Sequence, residues 1–370
     1  MYWEPLFQDI TYLLLYGGVI MLAVVEALYL LFRRGNAIAL DVTSSVRVRR
    51  WAAAFLLGDA ISHLSWFVGL SYPIKGDAMV SYWVCCCVDV VVLLPTMMGT
   101  LLAMLQDRRR PVWPFAVALL PSVVASIVFI LIGKNGFILS LTAYTWLVVV
   151  LFIVYLALEV RRYGRWLRDN FADLEHKEIR YSVLVLTFFM LFLFLYTFSQ
   201  SPFTAYLLQV NDLVLSCLLL WRVESLQLLS VEEATQAEEA VLEQPVPALS
   251  ATQMALPANI GPLLEKHCEE GGLYLQHEIT LSQLSREIGT NRYYLSQYFA
   301  RQGLTYNAYI NGLRIRHFIR LYHEAVAAQR IFTAQQLAFE SGFRSYSTFS
   351  AAFKQQKGKT VTVWMQEASQ

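Results

Sequence analysis

The chain has 370 residues, of which 56% are hydrophobic and only 15% charged, with a formal net charge of +1. Soluble domains carry about 25% charged residues, so the composition excludes a disordered chain and an ordinary soluble enzyme. The near-neutral charge hides an asymmetry. Residues 1–223 hold most of the apolar excess. Residues 224–258 carry six Glu and no Lys or Arg, and residues 259–370 carry 12 Lys and Arg against 8 Asp and Glu. That pattern reads as a membrane domain over 1–223, an acidic, Pro-containing linker over 224–258 and a mildly basic soluble domain over 259–370.

Seven apolar runs have about the 20 residues needed to cross a bilayer core: 10–32, 51–71, 79–105, 113–133, 137–158, 181–201 and 204–222. Barrel strands would alternate apolar and polar residues, whereas Val90 to Leu94 is apolar on every side, so the expectation is helices. The first run lacks the cleavage site of a signal peptide and reads as a retained span. The connections alternate sharply in Lys and Arg. One side holds fourteen (Arg33, Arg34, Arg47, Arg49, Arg50; Arg108, Arg109, Arg110; Arg161, Arg162, Arg165, Arg168, Lys177, Arg180) and the other two (Lys75, Lys134). Basic loops stay in the cytoplasm, which places the N-terminus outside and the C-terminal domain inside.

Polar residues interrupt the spans. Asp59 and His63 are four apart and share a helix face; Glu26, Asp89, Asn211 and Asp212 lie at similar depth. A charge at the bilayer centre costs about 2.5–3.5 kcal/mol on insertion scales and normally faces the bundle interior. These six residues are candidate signal-sensing groups, with interhelical packing bonds as the open alternative. The five Cys show no zinc spacing. Consecutive Cys85, Cys86 and Cys87 point about 100° apart on a helix and cannot chelate one ion together. The chain has no HExxH and no GxSxG, so no catalytic residue, metal or cofactor is expected.

In the linker, residues 231–240 are rich in helix formers, and Pro245, Pro247 and Pro257 mark a flexible tether. The soluble block then repeats one pattern. Thr280 can cap a short helix whose Leu281, Leu284 and Ile288 share a face. Gly289 ends it, and Asn291 caps a second helix with Leu295, Tyr298 and Phe299 inward. About 54 residues later Thr333, Gly342 and Ser345 punctuate the same arrangement. Tyr306 to Ala327 forms a long helical spacer between the two helix-turn-helix units. The fold class is therefore all-α: a seven-helix transmembrane bundle plus a C-terminal helical domain with two helix-turn-helix motifs.

Leu295-Ser296-Gln297-Tyr298-Phe299 with Gly303, Tyr309 and Arg314-Ile315, then Gly342-Phe343, Ser347-Thr348-Phe349, Phe353-Lys354, Gly358 and Thr360, resemble the DNA-binding domain of the AraC/XylS family of bacterial transcription regulators. The resemblance covers about 280–366. The family usually has Ala where Ser285 and Phe318 stand, Pro where Val361 stands and Arg where Met365 stands. The resemblance implies that both second helices enter the major groove, successive entries being about 34 Å apart. It implies DNA contacts from Arg292, Tyr293, Ser296 and Gln297 in the first unit, and from Arg344, Ser345, Tyr346, Ser347 and Thr348 in the second. It also implies a one-component regulator in the bacterial inner membrane with double-stranded promoter DNA as partner. The signal is open between a small molecule, a proton and the membrane itself, and a homodimer and RNA polymerase are further partners compatible with the reading. A transporter or membrane receptor with an appended regulatory domain is the alternative.

Overall fold

Asp9 opens the first helix, α1 (Ile10–Phe32), by accepting from the Thr11 amide at 2.9 Å, which satisfies one of the helix's orphan donors. The computed structural model describes residues 8–33, 35–37, 42–132, 138–174, 177, 179, 201–229 and 260–368. Residues 181–200 of the apolar run 181–201, the helix-forming stretch 231–240 and the Pro-containing tether lie outside the described residues. The regular elements among the described residues are all helices, with no strand. They divide into two units: Met1–Arg162 with Ile179–Leu229, and Tyr163–Glu178 with Ser230–Gln370.

In the first unit α1 is followed by α2 (Val46–Ser71), α3 (Ala78–Ala103), α4 (Trp113–Ile132), α5 (Ile138–Asn170, of which residues 163–170 belong to the second unit) and α6 (Pro202–Ser225). These six helices are long and apolar enough to cross a membrane, and they fall on six of the seven apolar runs. Large apolar side chains cover the outside of this unit. On α1 Leu14 is 72% exposed, with Met21, Val25, Leu28 and Leu31 also outward, while Glu26 is buried together with Tyr12, Tyr16, Val19, Ala23, Ala27 and Leu30. An apolar surface over an interior that also holds a few polar groups suits a lipid solvent.

Two boundaries differ from the sequence expectation. α2 begins at Val46 rather than 51, so Arg47, Arg49 and Arg50 ride on its first turns. Arg49 is not a solvated loop charge. It is buried against Glu224, donates from Nε to the Leu30 carbonyl at 3.1 Å, and reaches the Arg33 carbonyl from Nη2 at 2.5 Å. Glu224 also accepts from the Tyr29 hydroxyl and the Ala37 amide, both at 2.9 Å. An apolar count cannot see such a pair, because each partner looks like a surface charge. Similarly, α5 does not stop at 158 but continues to Asn170. The polar extension keeps good helix formers, and its base is fixed where Glu159 meets Arg108 and Arg110 at 2.7 Å each.

α3 contains one π-helical turn, Asp89–Leu93, just before Pro95. The proline ring lacks an amide and clashes with the carbonyl four residues back, and a π turn absorbs that mismatch. The turn sets the direction of Asp89. Packing of α3 on α2 is close enough that a Cβ on Gly99 would sit 2.2 Å from the Trp51 ring, so only glycine fits there.

In the second unit a short helical stretch, 260–270, leads into α8 (Leu281–Glu287), α9 (Arg292–Arg301), α10 (Tyr306–Ala327), α11 (Ala334–Glu340), α12 (Tyr346–Lys357) and α13 (Val361–Ala368); the stretch 260–270 is α7. Two hydrophobic cores divide α10 between them. Its first half gives Tyr306, Ile310 and Leu313 to a core with Leu284, Ile288, Leu295 and Phe299. Its second half gives Ile315, Phe318 and Tyr322 to a core with Leu337, Phe343, Phe349 and Phe353. The residues that depart from the family pattern are accommodated. Ser285 donates to the Ser282 carbonyl at 2.9 Å. Phe318 lies 4.4 Å from the Phe349 ring centroid, and Val361 is buried in the same core.

The segment 274–277 joins the two helix-turn-helix units. Arg314, fully buried on α10, donates to the carbonyls of Tyr274 at 2.8 Å, Gln276 at 2.6 Å and His277 at 3.2 Å. From the other side Gly342 presses on the same backbone. It has φ +94°, and a Cβ there would meet Leu275 Cα at 2.9 Å, so the turn between α11 and α12 requires glycine on two counts.

Candidate nucleic-acid interface and intramembrane site

The second helix of each unit starts from a side-chain cap. Asn291 accepts from the Tyr293 amide at 2.8 Å to start α9, and Ser345 accepts from the Thr348 amide at 3.3 Å to start α12. Thr280 and Thr333 cap α8 and α11 in the same way, at 3.2 Å and 3.1 Å. The turns between the helices pass through Gly289 (φ 71°) and Gly342. The spacing of caps and glycines in the sequence therefore builds two copies of one unit.

Burying Leu295 and Phe299 leaves Tyr293, Tyr294, Ser296 and Gln297 exposed on α9. On α12 the burial of Phe349 and Phe353 leaves Tyr346 and Ser347 exposed, with Arg344, Ser345 and Thr348 half-buried at its start. The hydroxyl of Ser345 is engaged with Ser347 Oγ at 2.9 Å and Thr348 Oγ1 at 3.1 Å, so it shapes the turn as well as the surface. A cleft of about 400 Å³ opens beside this turn, lined by Gln336, Phe339, Glu340, Arg344 and Tyr346 among others.

Both arginines of this set have intramolecular partners. Arg344 pairs with Glu278, an exposed pair of the kind worth about 0–1 kcal/mol. Arg292 donates through Nε (3.1 Å) and Nη2 to the side-chain oxygen of Asn170, the last residue of α5. Asn170 was not a sequence candidate. It lies 122 residues away and within a helix that read as ending at 158, so no local signal pointed to it.

Several titratable groups at or near the joint between the two helix-turn-helix units have displaced pKa values. Burial lowers the Arg314 guanidinium to about 10. That still leaves it charged at neutral pH, so the joint is held by a permanent cation. His317 accepts from or donates to the Tyr274 hydroxyl at 2.6 Å, and burial lowers its pKa below the usual histidine value. Burial raises the Cys268 thiol to about 12, making it an inert core residue.

Within the bundle the structure brings three of the candidate sensing residues together. His63 on α2 lies with Nδ1 3.5 Å from Asp59 and Nε2 3.5 Å from Asp212 of α6. Tyr16 of α1 donates to the His63 carbonyl at 2.6 Å. Asp89 stands beside this group, accepting from Ser62 at 2.5 Å and Trp66 Nε1 at 2.9 Å. Asp212 Oδ1 and the neighbouring Gln209 Oε1 and Asn211 Nδ2 are buried without a hydrogen-bond partner among the described residues. Glu26 is not part of the group. It lies ten residues beyond Tyr16 on α1, about 15 Å along the axis, and its Oε2 also has no partner among the described residues. Sequence spacing exposed the Asp59–His63 pair, while Tyr16, Ser62 and Trp66 look like ordinary span residues and were missed. Among the described residues no group of three or more His, Cys, Asp or Glu side chains is placed to hold a metal ion.

A family model described as a helix-turn-helix domain matches residues 284–367. With the two capped units, this identifies the C-terminal region as a helix-turn-helix domain of the AraC type. No curated protein and no solved structure matches the chain.

Proposed function

We propose that this chain is a membrane-bound one-component transcription regulator, with spans that sense a signal and a cytoplasmic AraC-type domain that binds promoter DNA sequence-specifically. One observation carries the reading: two capped helix-turn-helix units, each with exposed polar side chains on its second helix, stand on one spacer helix in a chain with six membrane-capable helices. The spacer α10 has 22 residues, about 33 Å at the helical rise, close to the ~34 Å between successive major-groove entries. Gln297 suits bidentate pairing with adenine, and Arg292 and Arg344 suit guanine or phosphate. Tyr293, Ser296, Ser345, Tyr346, Ser347 and Thr348 complete the contact set. Arg301, Arg316, Arg320, Lys354, Lys357 and Lys359 supply phosphate contacts that do not depend on sequence.

On the membrane side the sensing site is the Asp59–His63–Asp212 group with Asp89. An imidazole between two carboxylates has a charge balance that a proton or a polar ligand changes. The basic connections put the N-terminus outside the inner membrane and the DNA-binding domain in the cytoplasm. A second copy would add affinity through effective concentration. The test is genome-wide footprinting of the membrane-bound protein in cells. Protection at a small set of promoters is expected, and its absence would remove the regulator reading.

A further inference from the structure

We infer that the end of α5 and the residues after it, 163–172, form a clamp inside the second unit that holds the first reading helix in a DNA-incompetent state. The inference rests on the DNA-reading role of α9 and deepens it.

The contact is extensive and specific. Asn170, the last residue of α5, takes two donors of the Arg292 guanidinium. The chain then passes directly into the first core of the DNA-binding domain. Phe171 forms an antiparallel bridge with Thr280, the cap of α8. Asn307, at the start of the spacer helix, donates to the carbonyls of Phe171 at 3.3 Å and Ala172 at 2.6 Å. Ala172 is fully buried among Ile260, Leu284 and Tyr306. Residues 170–172 thus touch α8, α9 and α10 of the first unit.

The chemistry fits a switch. A guanidinium that forks onto an amide oxygen cannot simultaneously fork onto guanine or phosphate. The amide is neutral, so this bond is weaker than the charge-assisted bond DNA would offer, and the two can compete.

The test uses the full chain in lipid nanodiscs and a labelled duplex selected by that protein from a random-sequence library. Asn170→Ala should bind the duplex about five- to tenfold more tightly than the parent. The double variant Phe171→Cys/Thr280→Cys places two thiols on bridge partners, whose Cα atoms are about 4.5–5.5 Å apart, within reach of a disulfide. Oxidised, it should bind at least tenfold more weakly than the same protein reduced, while the parent ignores the reductant. Unchanged affinity for Asn170→Ala together with equal binding by oxidised and reduced double variant would overturn the inference while leaving the DNA-reading role intact. Binding by none of the forms, reduced and Asn170→Ala included, would overturn the DNA-reading role itself and the switch with it.

Discussion

Replacing Arg314 by Met removes the cation that pins the joint between the two helix-turn-helix units. Three backbone carbonyls, at 2.6–3.2 Å, lose their donor. Bonds to a charged group are worth about 1.5–3 kcal/mol each, but removing the buried guanidinium also recovers its desolvation cost. The net loss should be about 3–5 kcal/mol, as for other broken buried charge networks, and a domain's whole stability is about 5–15 kcal/mol. Met approximates the volume, so the cost is polar rather than a cavity. Arg314→Lys keeps the charge as a single point and should fall between, because an ammonium cannot fork onto several carbonyls. Trp364 is the one tryptophan in residues 259–370 and packs against the second core. Urea titration of the full chain, followed by the fluorine resonance of 5-fluorotryptophan at Trp364, reads this domain alone. With an m-value of about 2 kcal/mol/M, the midpoint should fall by about 2 M for Arg314→Met. A shift below about 0.5 M would refute the pinning argument.

Four further outcomes follow from the same geometry. His317, whose pKa burial lowers, takes up its proton more readily when unfolded. Stability of the domain should therefore fall as pH drops through about 6.5, and His317→Gln should flatten that slope in the same fluorine assay. Gln297→Ala should relax preference at one base position by about 1–3 kcal/mol, whereas Lys357→Ala should weaken all duplexes alike. Competition binding against operator variants separates the two. Asp59→Asn and His63→Gln, expressed to parental level, should each hold a promoter reporter at one value across external pH and additives; a parental response would make the cluster structural. Reporter fusions after position 134 should read external and after position 180 cytoplasmic, and a reversed pair would contradict the proposed orientation.

Local chemistry was legible in the sequence. Thr280, Asn291 and Ser345 each cap the helix expected of them, Thr333 caps the helix it was expected to begin, and Leu295 and Phe299 point inward as their spacing requires. The Asp59–His63 pair was legible because four residues make one helical turn. Contacts between distant segments were not. Asp212 meets His63 across 149 positions only because α6 packs beside α2. Arg49 counted among the basic loop residues, yet its partner Glu224 counted among the linker's acids, and together they form one buried pair. The tip of α5 was hidden for the same reason. Arg161 to Arg168 look like the end of a span, and nothing in their pattern says that the helix continues to deliver Asn170 to Arg292.

The central claim is that one chain, in its membrane, reads two successive major grooves. Hydroxyl-radical footprinting of a library-selected duplex with the full protein in nanodiscs tests it most directly. The account predicts two protected patches on one face of the duplex, about one helical turn (~34 Å) apart, with Gln297→Ala affecting only one of them. A single protected patch per chain, or protection unaffected by substitutions in either α9 or α12, would contradict it.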